Sequence, residues 1–388
     1  MRNILAAALL ATVFALPAAG QDRTGAPQIL ATAKHRVQVE RIAQVEHPWG
    51  LAFLPDGRFL VTERNAAALR LGSRDGTLSA PLAGTPQVFR YNGPTGRSQG
   101  GLFHVAVHPE FASNRLVYLS FSQPSADGAG TAIARGRLAE EGAPRLEDVE
   151  VIYTMNQHDS SGLHFGGRFV FLPRDNSIVL SVGERRNISR AQDGQDHAGS
   201  YIRIMDDGSV PADNPHRGDD KVDDKIFAMG SRNSHGVAVH PTTGEIWANE
   251  HGPKGGDMLI RVQAGKNYGW PFQTSGSDYS GAELGRKPPV DGFEPPVHVW
   301  ESTVAPSGLV VYDGAMFPQW QGHFLSGGLA ARALLRTAIE DGKVVEDEWM
   351  LRDLDRRIRD VAMDREGALW VLTEHEDGEI LRITAVRE

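Results

Sequence analysis

The chain has 388 residues with 40% hydrophobic content, 43 glycines and 22 prolines, so it is globular, turn-rich and long enough to bury a large core. Its formal net charge of −9, from 49 acidic and 40 basic residues, argues against nucleic acid or an anionic membrane surface as a partner, since either favours a basic patch. With no cysteine it is not a disulfide scaffold, a thiolate metal centre or a lipoprotein anchored through cysteine.

The first twenty residues read as a signal peptide. Arg2 gives a positive start, ILAAALLATVFAL is a short apolar run, and Ala18, Ala19 and Gly20 offer a small-residue cleavage site. That run is too short to span a bilayer and no later stretch reaches membrane length, so the expectation is an exported, soluble protein of a bacterial periplasm without membrane insertion. Residues 21–39 follow as an N-terminal extension, and residues 40–388 form one domain.

Within that domain one phrase recurs six times: a turn residue, alternating apolar residues, a polar turn, and a second alternating run. The copies are HPWGLAFLPDGRFLVTER from His47, GGLFHVAVHPEFASNRLVYLSFS from Gly100, HFGGRFVFLPRDNSIVLSVGE from His164, NSHGVAVHPTTGEIWANEHG from Asn233, APSGLVVYDGAMFPQWQGHFLSGG from Ala305 and RIRDVAMDREGALWVLTEHEDGEILRI from Arg357. Taking Gly50, Gly101, Gly167, Gly236, Gly308 and Asp360 as equivalent, the intervals are 51, 66, 69, 72 and 52 residues. Such a period signals a repeat architecture. Alternation with a period of two and DG, EG and TG turns make each copy a hairpin that cannot bury its apolar face alone. The expected fold is all-β, a six-bladed β-propeller of four-stranded antiparallel sheets. A β-sandwich is the alternative, but it offers no reason for six distributed copies. The long polar insertions DDGSVPADNPHRGDDKVDDK and QTSGSDYSGAELGRKPPVDGFEPP are expected on one face, over the mouth of the axis.

Polar residues open the copies: Gln99, His164, Arg232 with Asn233, Ser307, and Arg357 with Arg359. One such residue alone reads as a solvated loop position. Equivalent blades would instead bring the set to one height around one axis, and a convergent polar cluster in a concavity marks a site. Arg357 and Arg359 lie two apart and so share one side of a strand. No phosphate loop, GxSxG elbow or HExxH motif occurs, which argues against nucleotide chemistry.

The ordered set SQGGLFHVAVHPEF from Ser98, HFGGRF from His164, GSRNSHGVAVHPTTGEIWANEHGPKGGD from Gly230, GKNYGWP from Gly265, APSGL from Ala305 and RRIRDV from Arg356 resembles the glucose/sorbosone dehydrogenase family, most of all its aldose sugar dehydrogenase branch. The resemblance covers about residues 40 to 385. It implies a six-bladed propeller carrying pyrroloquinoline quinone and Ca2+, and an enzyme that oxidises the anomeric hydroxyl of aldoses to lactones. His164 matches the general base, with Asp257 beside it to orient the imidazole. Arg232, Arg357 and Arg359, with Gln99 and Asn233, match the residues that bind the tricarboxylate cofactor, and the carbonyls of Gly252 and Pro253 match the calcium ligands. Tyr268 and Trp270 would pack beside the site; Trp300 is placed either on the flat cofactor or in the core.

Three positions depart from the family pattern. Ala330 stands where relatives carry a cofactor-contacting lysine, with Arg332 as a candidate replacement. Met258 stands where a carboxylate is common, which removes support for a second calcium. His104 replaces a usual acid. Two other readings stand beside the dehydrogenase: a calcium-dependent propeller lactonase or hydrolase, and a noncatalytic sugar- or protein-binding propeller. The expected partners are an aldose and a periplasmic electron acceptor, with the chain a monomer or homodimer.

Overall fold

The structure, a computed structural model, describes residues 26–93 and 98–386; the signal-peptide segment lies outside the described residues. Six antiparallel sheets form a β-propeller. Their first strands, Pro48–Phe53, Leu102–Val107, Gly166–Phe171, Ser234–Val239, Pro306–Val311 and Ile358–Met363, neighbour one another in a closed ring around the axis. Blades two to five have four strands each. Blade one has three, and blade six has five.

The fifth and fourth strands of blade six come from the other end of the chain. Gln28–Ala31 pairs with Arg36–Gln44, which pairs with Glu379–Ala385 from Val37↔Ala385 to Gln44↔Glu379. Ring closure is therefore made by backbone hydrogen bonds between early and late segments.

The core is divided between the blades. Each of six hydrophobic clusters fills one interface between neighbouring sheets, as with Leu60, Leu69 and Leu102 between blades one and two. In Phe59–Glu63, Leu60 faces blade two while Phe59 and Val61 face blade six. Alternation persists, but both faces are apolar because both are covered. Half-buried alternation is confined to outer strands such as Lys343–Met350. Trp300 belongs to the core between blades four and five, and its indole nitrogen donates to Asp347.

Every innermost strand carries a register shift near its start. The pairing register on either side of these bulges shows that Gly50, Gly236, Gly308 and Asp360 match His104 and Arg168, not Gly101 and Gly167. A bulge inserts one residue, which a pattern of alternating hydrophobicity does not locate. At Gly308 the reason for glycine is local. Its φ is +63°, and a Cβ would lie 2.6 Å from the Asp360 carboxylate of the next blade.

The three side-chain-bearing members of this ring fill the middle of the axis. Arg168 Nη1 lies 3.0 Å from Asp360 Oδ1 of the opposite blade and 2.8 Å from His104 Nδ1, while its Nε donates to the His235 carbonyl at 3.0 Å. Its guanidinium also stacks 4.3 Å from the Trp49 ring. Burial pulls Arg168 below and pushes Asp360 above their ordinary values, and their mutual attraction opposes both shifts. Burial, aided by Arg168, holds His104 neutral, which leaves its Nδ1 free to accept. The axis is thus plugged rather than open.

The two long insertions part company. In an antiparallel blade the third-to-fourth connection falls at the end where the first strand exits, and the Asp206–Lys225 insertion joins those strands of blade three. Asp206 accordingly contacts His108, just beyond the exit of blade two's inner strand, at 3.2 Å. The expectation of a single loop-bearing face is corrected for this insertion. The insertion in blade four instead climbs back along blade three, bridging Met229 to Asn267, and its tip reaches the entry end of the axis.

Candidate active site

Two cavities of about 320 Å3 each open at the entry end of the inner strands. Trp49, His235 and Arg359 contribute to the first from equivalent points early in their inner strands. Arg64, His251, Leu329 and Glu374 line it from equivalent points just past the second strands. Gln99 and Arg357 complete the polar wall. The second cavity is lined by Glu184, Arg186, Asn187, Trp270, Asp278 and Tyr279, among others.

His164 links the two. Its amide donates to Gln99 Oε1 at 2.7 Å, on the first cavity, and its Nδ1 lies 2.5 Å from Glu184 Oε2, on the second. The residue is 6% exposed and sits at φ +50°, a left-handed backbone that a non-glycine residue adopts only when its surroundings demand it. Those surroundings are visible: Arg185 stacks 3.5 Å from the Phe165 ring and donates to the carbonyls of Leu163 and Ser161, which fixes the segment entering His164. Burial lowers the His164 pKa, and Glu184 partly restores it. Burial would raise the Glu184 carboxyl, but His164 and Arg232 hold it below its ordinary value. The pair is then a neutral imidazole donating Nδ1–H to a carboxylate. Nε2 is left able to accept a proton, and among the described residues it has no hydrogen-bond partner.

Asp257 is not the carboxylate at the imidazole. It accepts from the amides of Gly252 at 2.8 Å and of Val304 and Ala305 at 2.7 Å each, so it ties the Gly252 turn to the entry of blade five. Glu184 takes the place expected for it, and it was missed although it ends the third repeat.

The expected cofactor residues divide between the cavities. Gln99, Arg357 and Arg359 line the first and Arg232 the second, while Arg232 Nη1 donates to the His251 carbonyl at 3.0 Å. Asn233 Oδ1 accepts the Gly166 amide at 3.1 Å, and its Nδ2 is 3.1 Å from His235 Nε2. Glu250, pushed up to about 7 by burial, accepts the Arg232 amide at 2.9 Å and a hydrogen bond from Ser231. Arg359 reaches His235 Nδ1 at 3.1 Å and Ser307 Oγ at 3.2 Å, and it pairs with Glu374. Buried Nε atoms of Arg232 and Arg359 have no partner among the described residues.

Arg64, Glu374, His235 and His251 were not anticipated. The signal for Arg64, His251 and Glu374 was their shared place after the second strand of each repeat. Burial holds both imidazoles neutral, His235 well below its ordinary value and His251 at about 3. Arg332 does not replace the missing lysine at this cavity: it pairs with Asp355 at 3.1 Å, and Ala305 and Leu329 form the blade-five wall. Trp270 lines the second cavity 5.4 Å from the Arg232 guanidinium, whereas Tyr268 lies in the core between blades three and four.

Among the described residues no three His, Asp or Glu side chains gather as a metal centre. Gly252 and Pro253 lie in a carbonyl-rich turn, where a Cβ on Gly252 would fall 2.2 Å from the Gly255 carbonyl oxygen. Met258 is packed in the core.

The six-bladed propeller thus gathers a guanidinium-lined cavity and a carboxylate-backed imidazole at one end of a plugged axis. Residues 45–382 match the family model described as Glucose / Sorbosone dehydrogenase, and the chain belongs to that family. It is 37% identical over 344 residues to the aldose sugar dehydrogenase YliI of Escherichia coli (strain K12), covering 88% of this chain and 91% of that one. The crystal structure of the soluble aldose sugar dehydrogenase of Escherichia coli in its apo form superposes with a TM-score of 0.85 at 38% identity, covering 90% of this chain and 100% of that one. The PQQ-bound form of an aldose sugar dehydrogenase from Streptomyces coelicolor gives a TM-score of 0.75 at 26% identity, covering 93% of this chain and 100% of that one.

Proposed function

We propose that this protein is a soluble quinoprotein dehydrogenase that oxidises the anomeric hydroxyl of aldose sugars to lactones with pyrroloquinoline quinone and Ca2+. The observation that carries the reading is the convergence of Arg64, Arg357 and Arg359 on one cavity, with His164 standing between it and a second, aromatic one. A flat tricarboxylate fits this chemistry. Guanidinium groups bind carboxylates in bidentate fashion, and the orphaned Nε atoms of Arg359 and Arg232 are donors awaiting an acceptor. The names of the relatives agree with the reading.

When bound, the quinone supplies a hydride-accepting carbonyl and Ca2+ polarises it. Arg357 and Arg359 would hold carboxylates in the first cavity, with Arg232 on the wall of the second. Gln99 and Asn233 act through the backbone that fixes His164 and Gly166. His164 Nε2 takes the proton of the anomeric hydroxyl, and Glu184 stabilises the resulting imidazolium. The sugar rests against Trp270 and Tyr279, with Asn187 and Asp278 as polar partners. The carbonyls of Gly252 and Pro253 would supply two neutral oxygens to an ion that takes six to eight. Asp257 serves the reaction by holding that turn in place.

The axial carboxylates Asp360 and Glu374 are each paired with arginine, which weighs against the reading of a hydrolase whose metal is held by acidic side chains. Export to a bacterial periplasm, transfer of electrons to a carrier there, and a monomeric or homodimeric state complete the proposal; among the described residues no helix is long and apolar enough to cross a membrane.

Reconstitution tests it. Apo protein given pyrroloquinoline quinone and Ca2+ is expected to reduce a redox dye with at least one of a panel of aldoses. No reduction and no spectral change of the quinone would sink the reading. His164→Ala is expected to lower turnover by about 10²- to 10⁴-fold while cofactor titration stays unchanged; near-normal turnover would remove His164 as the base.

A further inference from the structure

The cavity that would take the cofactor's carboxylates already contains one. Glu374 lies at the centre of its guanidinium cluster, paired with Arg359, 2.9 Å from Arg64 Nη1 and 3.9 Å from Arg357 Nη2. Its backbone is fixed as well, since its amide donates to the Arg357 carbonyl at 2.8 Å. The neighbouring His235 and His251 are neutral, so the wall holds three guanidinium groups and one carboxylate, a surplus of two positive charges. The arginines draw the Glu374 carboxyl down to about 2 against the effect of burial, and it stays ionised at any working pH.

We propose that Glu374 is a resident counter-anion: it occupies the arginine cluster while the cavity is empty, and yields part of its pairing when an anionic ligand enters. The inference rests on the reading that this cavity receives a polycarboxylate. Three guanidinium groups in one partly desolvated cavity repel each other when unpaired, and an internal carboxylate removes most of that cost in the empty protein. The same carboxylate opposes an incoming one. Glu374 therefore stabilises the empty state more than the loaded state, and by linkage it holds affinity below what the arginines alone would give.

The test is equilibrium titration of wild type and Glu374→Gln with pyrroloquinoline quinone and Ca2+, without substrate. Binding is followed by quenching of tryptophan fluorescence, since Trp49 lines the cavity, and melting curves are recorded with and without ligand. The variant is expected to melt lower when empty, to show the larger ligand-induced rise in Tm, and to bind about tenfold tighter or more at low salt. Its surplus charge rises from two to three, so the dependence of Kd on salt should steepen. Equal or weaker binding by the folded variant overturns the inference while leaving the functional reading intact. Absence of binding by wild type overturns the functional reading first. Should Glu374→Gln fail to fold, Glu374→Asp, which keeps the charge but withdraws it from Arg359, is expected to bind about threefold tighter; wild-type affinity there overturns the inference.

Discussion

At the scale of single residues, the proposed base His164 and its partner Glu184 would set how the site responds to pH. A base must be neutral to act, and burial favours the neutral imidazole, so kcat/KM should hold down to pH 6.5 and fall only as pH drops through the lowered pKa. Glu184 works in the opposite sense by favouring the charged imidazole. In Glu184→Gln the acid limb should move to still lower pH, and kcat should fall by about tenfold or more because the imidazolium formed in the reaction loses its counter-charge. A pH profile of kcat/KM checks both; an unmoved limb would show that Glu184 only fixes the ring's orientation. His164 was legible because a histidine opening a repeat before two glycines stands out. Glu184 was not, because Gly183 occupies the second-strand position that carries Arg64, His251 and Glu374 in other blades. The partner of the proposed base thus falls one residue beyond the ring it belongs to.

At the scale of strands and blades, the bulged inner strands bring the blades together closely enough to leave no room for side chains at half of one ring. Gly308→Ala would place a methyl group against Asp360 on a left-handed backbone, and the expected loss is about 2–4 kcal/mol in urea unfolding. The remaining members of that ring carry the plug. Removing one partner of its ion pair, as in Asp360→Asn, leaves Arg168 charged and unpaired in the axis and should cost about 3–5 kcal/mol. Six repeats were readable in the sequence because each carries two alternating runs around a polar turn. Their true alignment was not, since His104 and Arg168 occupy ring positions that the neighbouring Gly101 and Gly167 seemed to claim. Chain position also gave no hint that the Asp206–Lys225 insertion falls at the far end of blade three; strand direction decides that.

At the scale of the whole molecule, stability depends on joining residues far apart in the chain. Val37, Val39, Ile42 and Ala43 are buried in the interfaces of the closing blade, so a variant lacking residues up to Gln44 loses their burial and exposes the edge of Glu379–Ala385. A loss of about 5 kcal/mol or more is expected, with self-association through the bare edge, measurable by calorimetry and sedimentation. That same pairing has a consequence for the order of events in the cell. In the chain Arg36–Gln44 precedes every strand of blades one to five, and its partner Glu379–Ala385 follows them all. Blades two to five are each built from one contiguous segment, but Arg36–Gln44 must find its only neighbour on that side across more than three hundred residues. Until then the ring is an open arc, and the arginines of blades one and six, Arg64 and Arg359, have no shared cavity to form. The cavity proposed to take the cofactor is therefore the last thing this protein acquires.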